Sequence, residues 1–142
     1  MRSPIRGSCH CGNVRFELTW PGDAAVIPAR RCGCTFCQKH GGVWTSNPAG
    51  SLTVRIARPA LVSRYEFGTS TAHFLVCSHC GVVPLVTSRI DERLFAVVNV
   101  NTFDGADAAR VQIAPANFEG EDVGDRLARR QRNWIPDVRI EE

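Results

Sequence analysis

The chain has 142 residues, of which 44% are hydrophobic and 22% are charged, and its formal net charge is +3. This length corresponds to one domain, which we predict to span residues 1–142, and the composition excludes a mostly disordered protein. No run of about 18 apolar residues is present, so we expect no membrane-spanning helix and no membrane partner. The first six residues lack an apolar stretch, so we also expect no signal peptide and a cytoplasmic protein.

Hydrophobic and polar residues alternate over much of the chain, which is typical of half-buried strands. In chain order, the alternation predicts strands over residues 14–18, 52–56, 61–67, 72–76, 82–87, 94–100 and 110–113. A turn is predicted at residues 21–23, and Pro84 indicates that its strand lies at a sheet edge or carries a bulge. One helix is predicted, over about residues 121–131, so the expected fold class is mainly β.

The basic residues are scattered, apart from one cluster near the end formed by Arg126, Arg129, Arg130 and Arg132. Acidic residues at positions 119, 121, 122 and 125 precede this cluster. The mixed signs favour a solvated helix face over a nucleic-acid-binding surface. We therefore expect no nucleic-acid partner.

The seven cysteines are the most informative feature of the sequence, because they all fall in three short groups. An odd number cannot pair fully, and a domain of this size does not need disulfides for stability. The groups are Cys9-His10-Cys11, Cys32-Gly33-Cys34-Thr35-Phe36-Cys37 and Cys77-Ser78-His79-Cys80. Such spacings bring several sulfurs to one ion, and thiolate-rich ligand sets favour zinc or iron–sulfur chemistry. The sequence therefore predicts a metal-binding protein.

Spacing alone leaves the pairing of these groups open. The first and third groups could close a tetrahedral site, with Gly12 and Gly81 turning the chain around the metal. The middle group would then hold a second ion with three ligands and one open position, a pattern typical of catalytic zinc. Alternatively, the C-x-x-C portion of the middle group could pair with the third group as a zinc ribbon, although about forty residues separate them. His10, His40, His73 and His79 are interpreted as loop or structural residues, although His40 could reach the middle group.

The three cysteine groups and their flanking residues resemble the glutathione-dependent formaldehyde-activating enzyme family, whose domain also occurs in centromere protein V. The resemblance rests on residues 7–16, 32–41 and 74–81. It implies antiparallel sheets similar to the Mss4-like fold, with zinc-binding loops, little helix and two zinc ions per chain. It further implies structural zinc at Cys9, Cys11, Cys77 and Cys80, and a second, catalytic zinc at Cys32, Cys34 and Cys37.

The implied activity is condensation of glutathione with formaldehyde to S-hydroxymethylglutathione, which is carbon–sulfur lyase chemistry. We expect a thiolate of glutathione or another thiol, held at the open zinc position, to attack formaldehyde or a related aldehyde. Arg30 and Arg31 precede the middle group and are candidates for binding substrate carboxylates. Phe36, Val43 and Trp44 are candidates for lining a pocket.

Three other functions are compatible with these cysteines. One is a zinc-stabilised binding module without catalysis, and another is a carrier that binds glutathione or another thiol without turnover. The third is a zinc-ribbon nucleic-acid binder, which would need a clustered basic face with aromatic residues. No such cluster is found before residue 126.

Overall fold

The computed structural model describes residues 4–22 and 25–142 of the chain. Residues 1–3, on which the expectation of no signal peptide rests in part, lie outside the described residues, as does Asp23 of the predicted turn. Within the described ranges, no helix has both the length and the apolar character needed to cross a membrane.

Within these same ranges the chain forms eleven strands: β1 (Ile5–Ser8), β2 (Val14–Thr19), β3 (Ile27–Cys32), β4 (Val43–Thr45), β5 (Ser51–Ile56), β6 (Val62–Tyr65), β7 (His73–Cys77), β8 (Leu85–Ile90), β9 (Arg93–Asn99), β10 (Val111–Ala116) and β11 (Asp137–Glu141). The α-helices of the described residues are α1 (Thr35–His40) and α2 (Val123–Asn133). Short 3₁₀ turns complete the secondary structure. The predicted mainly β fold class is confirmed.

The described strands form two sheets, with strand orders β1-β2-β5-β11 and β10-β3-β4-β9-β8-β7-β6. The inner strand pairs are antiparallel, as expected. Each sheet also has one edge strand that pairs in parallel, β11 with β5 and β10 with β3. The sequence analysis did not predict these parallel pairs, because strand direction depends on the connections between elements and not on alternation within a strand.

The main core lies between the two sheets. On β2 and β5, Phe16 is paired with Val54, and Leu18 with Leu52, and all four side chains are buried. The residues of the seven-stranded sheet that join this core include Leu75, Leu85 and Val98. Burying each side chain of this kind contributes about 1.5–3 kcal/mol. Alternation places these residues on one face of each strand, which is why the sequence pattern located them.

A second cluster of buried residues positions the candidate site. It includes Cys37 of α1, Trp44 of β4, Val86 of β8 and Trp134 at the end of α2. Because Leu85 lies in the main core and its neighbour Val86 lies in this cluster, the two clusters cover opposite faces of the seven-stranded sheet. Both helices thus contribute to the face of that sheet that points away from the smaller sheet.

Each of the seven predicted strands overlaps an observed one, and the predicted helix corresponds to α2. The prediction that Pro84 lies in an edge or bulged strand is wrong. Pro84 precedes β8, which is an inner strand between β7 and β9, and its carbonyl accepts a hydrogen bond from the Asn99 N–H. Strands β1, β3, β4 and β11 and helix α1 were not predicted. β1, β4 and α1 are too short for their period to be recognised, whereas Pro28 and the adjacent Arg30 and Arg31 interrupt the alternation of β3. β11 does alternate, a signal that the sequence analysis did not use.

Candidate metal centres and the adjoining cavity

The first and third cysteine groups meet in space. Cys9 and Cys11 follow β1, while Cys77 ends β7 and Cys80 follows it. The four sulfurs, here called the cysteine quartet, lie within 4.8 Å of one another. The Sγ atoms of Cys9 and Cys11 are 3.7 Å apart, and those of Cys11 and Cys77 are 3.5 Å apart. A tetrahedral ion with metal–sulfur bonds of about 2.3 Å needs sulfurs about 3.8 Å apart, so the quartet fits one metal ion.

Two tight turns bring these sulfurs together. The Gly12 N–H donates to the Cys9 carbonyl at 3.1 Å, and the Gly81 N–H donates to the Cys77 carbonyl at 2.7 Å. Both glycines have φ of 84°, a left-handed conformation that side chains other than glycine rarely adopt. The prediction that Gly12 and Gly81 turn the chain around a metal site is consistent with this geometry.

Two thiols of the quartet have pKa values that are shifted in opposite directions. Burial raises the pKa of Cys9 to about 12, although the Val14 N–H donates to its sulfur and opposes this shift. At Cys80, burial opposes ionisation, but N–H donors of Cys11 and Val82 and the neighbouring thiols lower the pKa to about 6. Sulfurs this close cannot all ionise without a cation between them, because neighbouring negative charges repel. The quartet therefore suits a bound cation.

The middle group forms a second sulfur cluster, here called the cysteine trio. Cys32 ends β3, Cys34 caps the N-terminus of α1, and Cys37 lies within that helix. Their Sγ atoms lie within 4.8 Å of one another. Backbone N–H groups donate to two of them, from Cys34 to Cys32 at 3.5 Å and from Cys37 to Cys34 at 3.4 Å. The Trp44 indole Nε1–H donates to the third, Cys37 Sγ, at 3.4 Å.

These contacts stabilise negative charge on the trio. The hydrogen bond from the Cys37 thiol, together with the Cys34 N–H and the charge of Arg129, outweighs burial and lowers the pKa of Cys32 to about 5. The same sulfur–sulfur contact, with burial, raises the pKa of Cys37 above its ordinary value. One thiolate is therefore stable near neutral pH, and a cation would be needed to ionise all three.

The structure decides between the two pairings that the spacing left open. Cys77 and Cys80 lie with Cys9 and Cys11, so the zinc-ribbon alternative with the middle group does not form. Each cluster has the number of sulfurs that the four-plus-three arrangement requires. Both clusters could hold metal ions, as the sequence predicted.

Neither sulfur cluster of the described residues includes a histidine, which agrees with the interpretation of His10, His40, His73 and His79 as structural or loop residues. His40 packs against the rings of Phe36 and Trp44, with centroids 4.4 and 5.8 Å away. Burial lowers its pKa. His40 therefore contributes to packing beside the trio.

A cavity of about 370 Å³ opens next to the trio, and all three of its cysteines line it. The aromatic part of the wall is Trp44, Phe67, Phe74, Phe118 and Trp134. The charged part is Arg30, Glu119, Arg126, Arg129 and Arg130. An apolar pocket with a few converging polar groups is the usual form of a small-molecule site.

Of the three residues that the sequence predicted to line a pocket, one lines this cavity and two do not. Trp44 lines the cavity, whereas Phe36 packs among other aromatic rings, 4.8 Å from that of Phe74, and Val43 belongs to the main core. Arg30 lines the cavity. Arg31 is exposed and lines a second depression of about 620 Å³. Cys32 and Cys37 of the trio also line this depression.

The interpretation of the arginine cluster as a solvated helix face is wrong for most of its members. Arg126, Arg129 and Arg130 line the cavity, and Arg130 is only 6% exposed. Arg132 alone of the four is exposed. The spacing 126, 129 and 130 places three guanidinium groups on one helical face, a signal that the sequence analysis did not use.

Comparisons with known proteins agree with the cysteine framework. The family model described as glutathione-dependent formaldehyde-activating enzyme matches residues 4–118, so helix α2 follows the matched segment. A curated protein of Halomonas elongata, whose name assigns it provisionally to the same enzyme, is 34% identical over 85 residues. The match covers 54% of this chain and 51% of that protein, so the chain matches about half the length of this relative. The crystal structure of a Rhodobacter sphaeroides protein is similar, with a TM-score of 0.56 and 32% identity, over 77% of this chain and 99% of that one.

Proposed function

Because the chain belongs to the glutathione-dependent formaldehyde-activating enzyme family, we propose that it condenses glutathione with formaldehyde at the cysteine trio. The observation that carries this proposal is that three clustered sulfurs line one cavity together with guanidinium and aromatic groups. In the reaction, a bond forms between the thiol sulfur and the carbonyl carbon, and the C=O double bond becomes single. The proton lost by the thiol ends on the carbonyl oxygen, so no further reactant is needed.

We propose zinc as the ion of both clusters, because all seven ligands are cysteine sulfurs. The quartet supplies four ligands, as in a closed structural site. The trio supplies three, which leaves one position for a substrate. Bound zinc would supply the Lewis acidity that lowers the pKa of a substrate thiol.

The remaining tasks fall to the side chains of this chain. The N–H donors to Cys32, Cys34 and Cys37 hold the sulfurs in place and stabilise their ionised forms. We propose that Arg30, which lines the cavity, contacts a substrate carboxylate. Arg31 lies at the second depression, so within this proposal it would contact only a substrate that reaches that side.

The proposed activity is of the carbon–sulfur lyase type, with a small-molecule thiol and an aldehyde as partners. The seven cysteines are free, which supports a reducing compartment, and we propose the cytoplasm. The core shared by both sheets supports the prediction of one domain over residues 1–142. The absence of a nucleic-acid partner stays a prediction.

The proposed function can be tested by exchange NMR with ¹³C-formaldehyde and glutathione. Because the two also condense without a catalyst, the measured quantity is the exchange rate between hydrated formaldehyde and the adduct. We expect this rate to rise in proportion to the concentration of zinc-loaded protein. Free zinc at the same concentration is the control. Glutathione binding without faster exchange would contradict the enzyme proposal and favour the carrier.

Replacing Trp44 with phenylalanine is expected to weaken the second metal site. The variant loses the indole donor to Cys37 Sγ, and loss of such an outer contact typically lowers metal affinity by about 10–100-fold. The measurement is competition for zinc with a chromogenic chelator. Trp134→Phe is the matched control, because it removes a similar volume from the same cavity without a contact to sulfur. Equal zinc affinity in the two variants would show that the indole donor does not support the trio.

A further inference from the structure

The arginines of the cavity differ in how their charge is balanced. Arg129 donates to both carboxylate oxygens of Glu121 at 3.0–3.2 Å, and its guanidinium lies 3.7 Å from the ring centroid of Phe118. Arg126 donates to the Phe118 carbonyl at 3.0 Å and lies 3.9 Å from the Glu121 carboxylate. The contact with Arg129 lowers the pKa of Glu121. These two arginines therefore connect α2 to the turn before it, and Glu121 compensates their charge.

Arg130 is buried without a paired carboxylate, and its guanidinium lies 5.0 Å from the ring centroid of Trp134. Its Nη1 donates to neutral acceptors only, at 2.9 Å to Thr71 Oγ1, 3.3 Å to the Thr71 carbonyl and 3.0 Å to Ser88 Oγ. Among the described residues, no carboxylate lies within ion-pair distance, and neither Nε nor Nη2 donates a hydrogen bond. A buried charge is costly unless it is paired. Nη1 and the Trp134 ring thus hold the group in place, and Nη2 is left without an acceptor in a residue that lines the cavity.

The surrounding charges add to this imbalance. Burial and the neighbouring charges of Arg126 and Arg129 outweigh the opposing charge of Glu121 and lower the pKa of Arg130 to about 10, so the group stays protonated at neutral pH. Arg30, which also lines the cavity, donates to Ser46 Oγ at 3.0 Å and has no carboxylate within ion-pair distance in the described chain. The carboxylate in the lining, that of Glu119, is exposed and pairs with neither arginine.

We infer that Arg130 and Arg30 form a carboxylate subsite of the cavity, which makes the protein selective for thiols that carry a carboxylate over neutral thiols. The inference rests on the proposed function in that a thiol is taken as the substrate. Guanidinium groups bind carboxylates through short, charge-assisted hydrogen bonds. Since α2 follows residue 118, Arg130 lies beyond the residues that the family model matches, and selectivity would come from an element outside that match.

The test compares glutathione with its diethyl ester, which has the same thiol but no carboxylate. Calorimetry on the zinc-loaded protein gives both dissociation constants. We expect the native protein to bind glutathione at least about tenfold more tightly than the ester. Arg130→Gln is expected to lower the ratio of the two constants by about tenfold, because only the acid loses a charge-assisted hydrogen bond. Arg132→Gln, on the exposed side of the same helix, is the matched control and should leave the ratio unchanged.

A purely structural role of Arg130 would weaken both ligands equally, and an unchanged ratio in Arg130→Gln would overturn the inference. If that variant does not fold, Arg30→Gln and the acid-to-ester ratio of the native protein still test the subsite. A native ratio near one would then refute it.

The cobalt-substituted protein separates this inference from the proposed function, because thiolate binding to cobalt changes its absorption spectrum. A spectral change with equal affinity for acid and ester would refute the subsite alone. Selective binding of the acid without a spectral change would refute the thiolate step and leave the subsite standing.

Discussion

Replacing Cys77 with serine is expected to lower the zinc content from two ions to one and to unfold most of the protein at 37 °C. Cys77 is fully buried, its Sγ lies 3.5 Å from that of Cys11, and it belongs to the main core. The quartet joins the turn after β1 to the turn after β7, so a metal ion bound there would link the smaller sheet to the larger one. Structural zinc binding contributes about 10–16 kcal/mol in zinc-finger peptides, which is comparable to the whole stability of a domain.

The measurements are metal analysis and differential scanning calorimetry. His79→Ser is the matched control, because His79 is exposed in the same turn and belongs to neither sulfur cluster. It should retain two zinc ions and the native melting temperature. A Cys77→Ser protein that melts like this control would show that the quartet is not a structural metal site.

Replacing Cys37 with serine is expected to have the opposite profile, with the fold kept and the activity lost. The variant should bind one zinc ion instead of two, because two sulfurs do not complete the trio. The glutathione–formaldehyde exchange rate should fall by more than about 100-fold, toward the rate without protein, since loss of a ligand exceeds loss of an outer contact. The quartet is unaffected, so we expect cooperative unfolding to persist.

Exchange NMR and metal analysis of the same sample test this prediction. Lys39→Ser is the control, because Lys39 is exposed on the same short helix. Unchanged zinc content together with unchanged exchange in Cys37→Ser would contradict the assignment of the trio. Unchanged exchange with one zinc ion lost would place the reaction elsewhere in the protein.

The sequence determined the sulfur chemistry and most of the strands. Groups of cysteines separated by one or two residues place their sulfurs close together whatever the rest of the fold, so all seven candidate ligands were identifiable. Alternation likewise located β2 and β5, since side chains i and i+2 share a face and Val14, Phe16 and Leu18 are all buried. The spacing left open which cysteine groups come together. The resemblance implied the four-plus-three pairing, and the structure agrees with that pairing.

Only the tertiary structure decided what surrounds the trio. Arg130 has the charge of a surface residue, yet it is 6% exposed because α2 packs beside β8 and Thr71 and Ser88 supply its hydrogen bonds. Periodicity shows which face of an element is apolar, but it does not show which element will cover that face. The cavity is built from segments that are distant in the sequence, and the charges of its wall therefore follow from packing and not from local pattern.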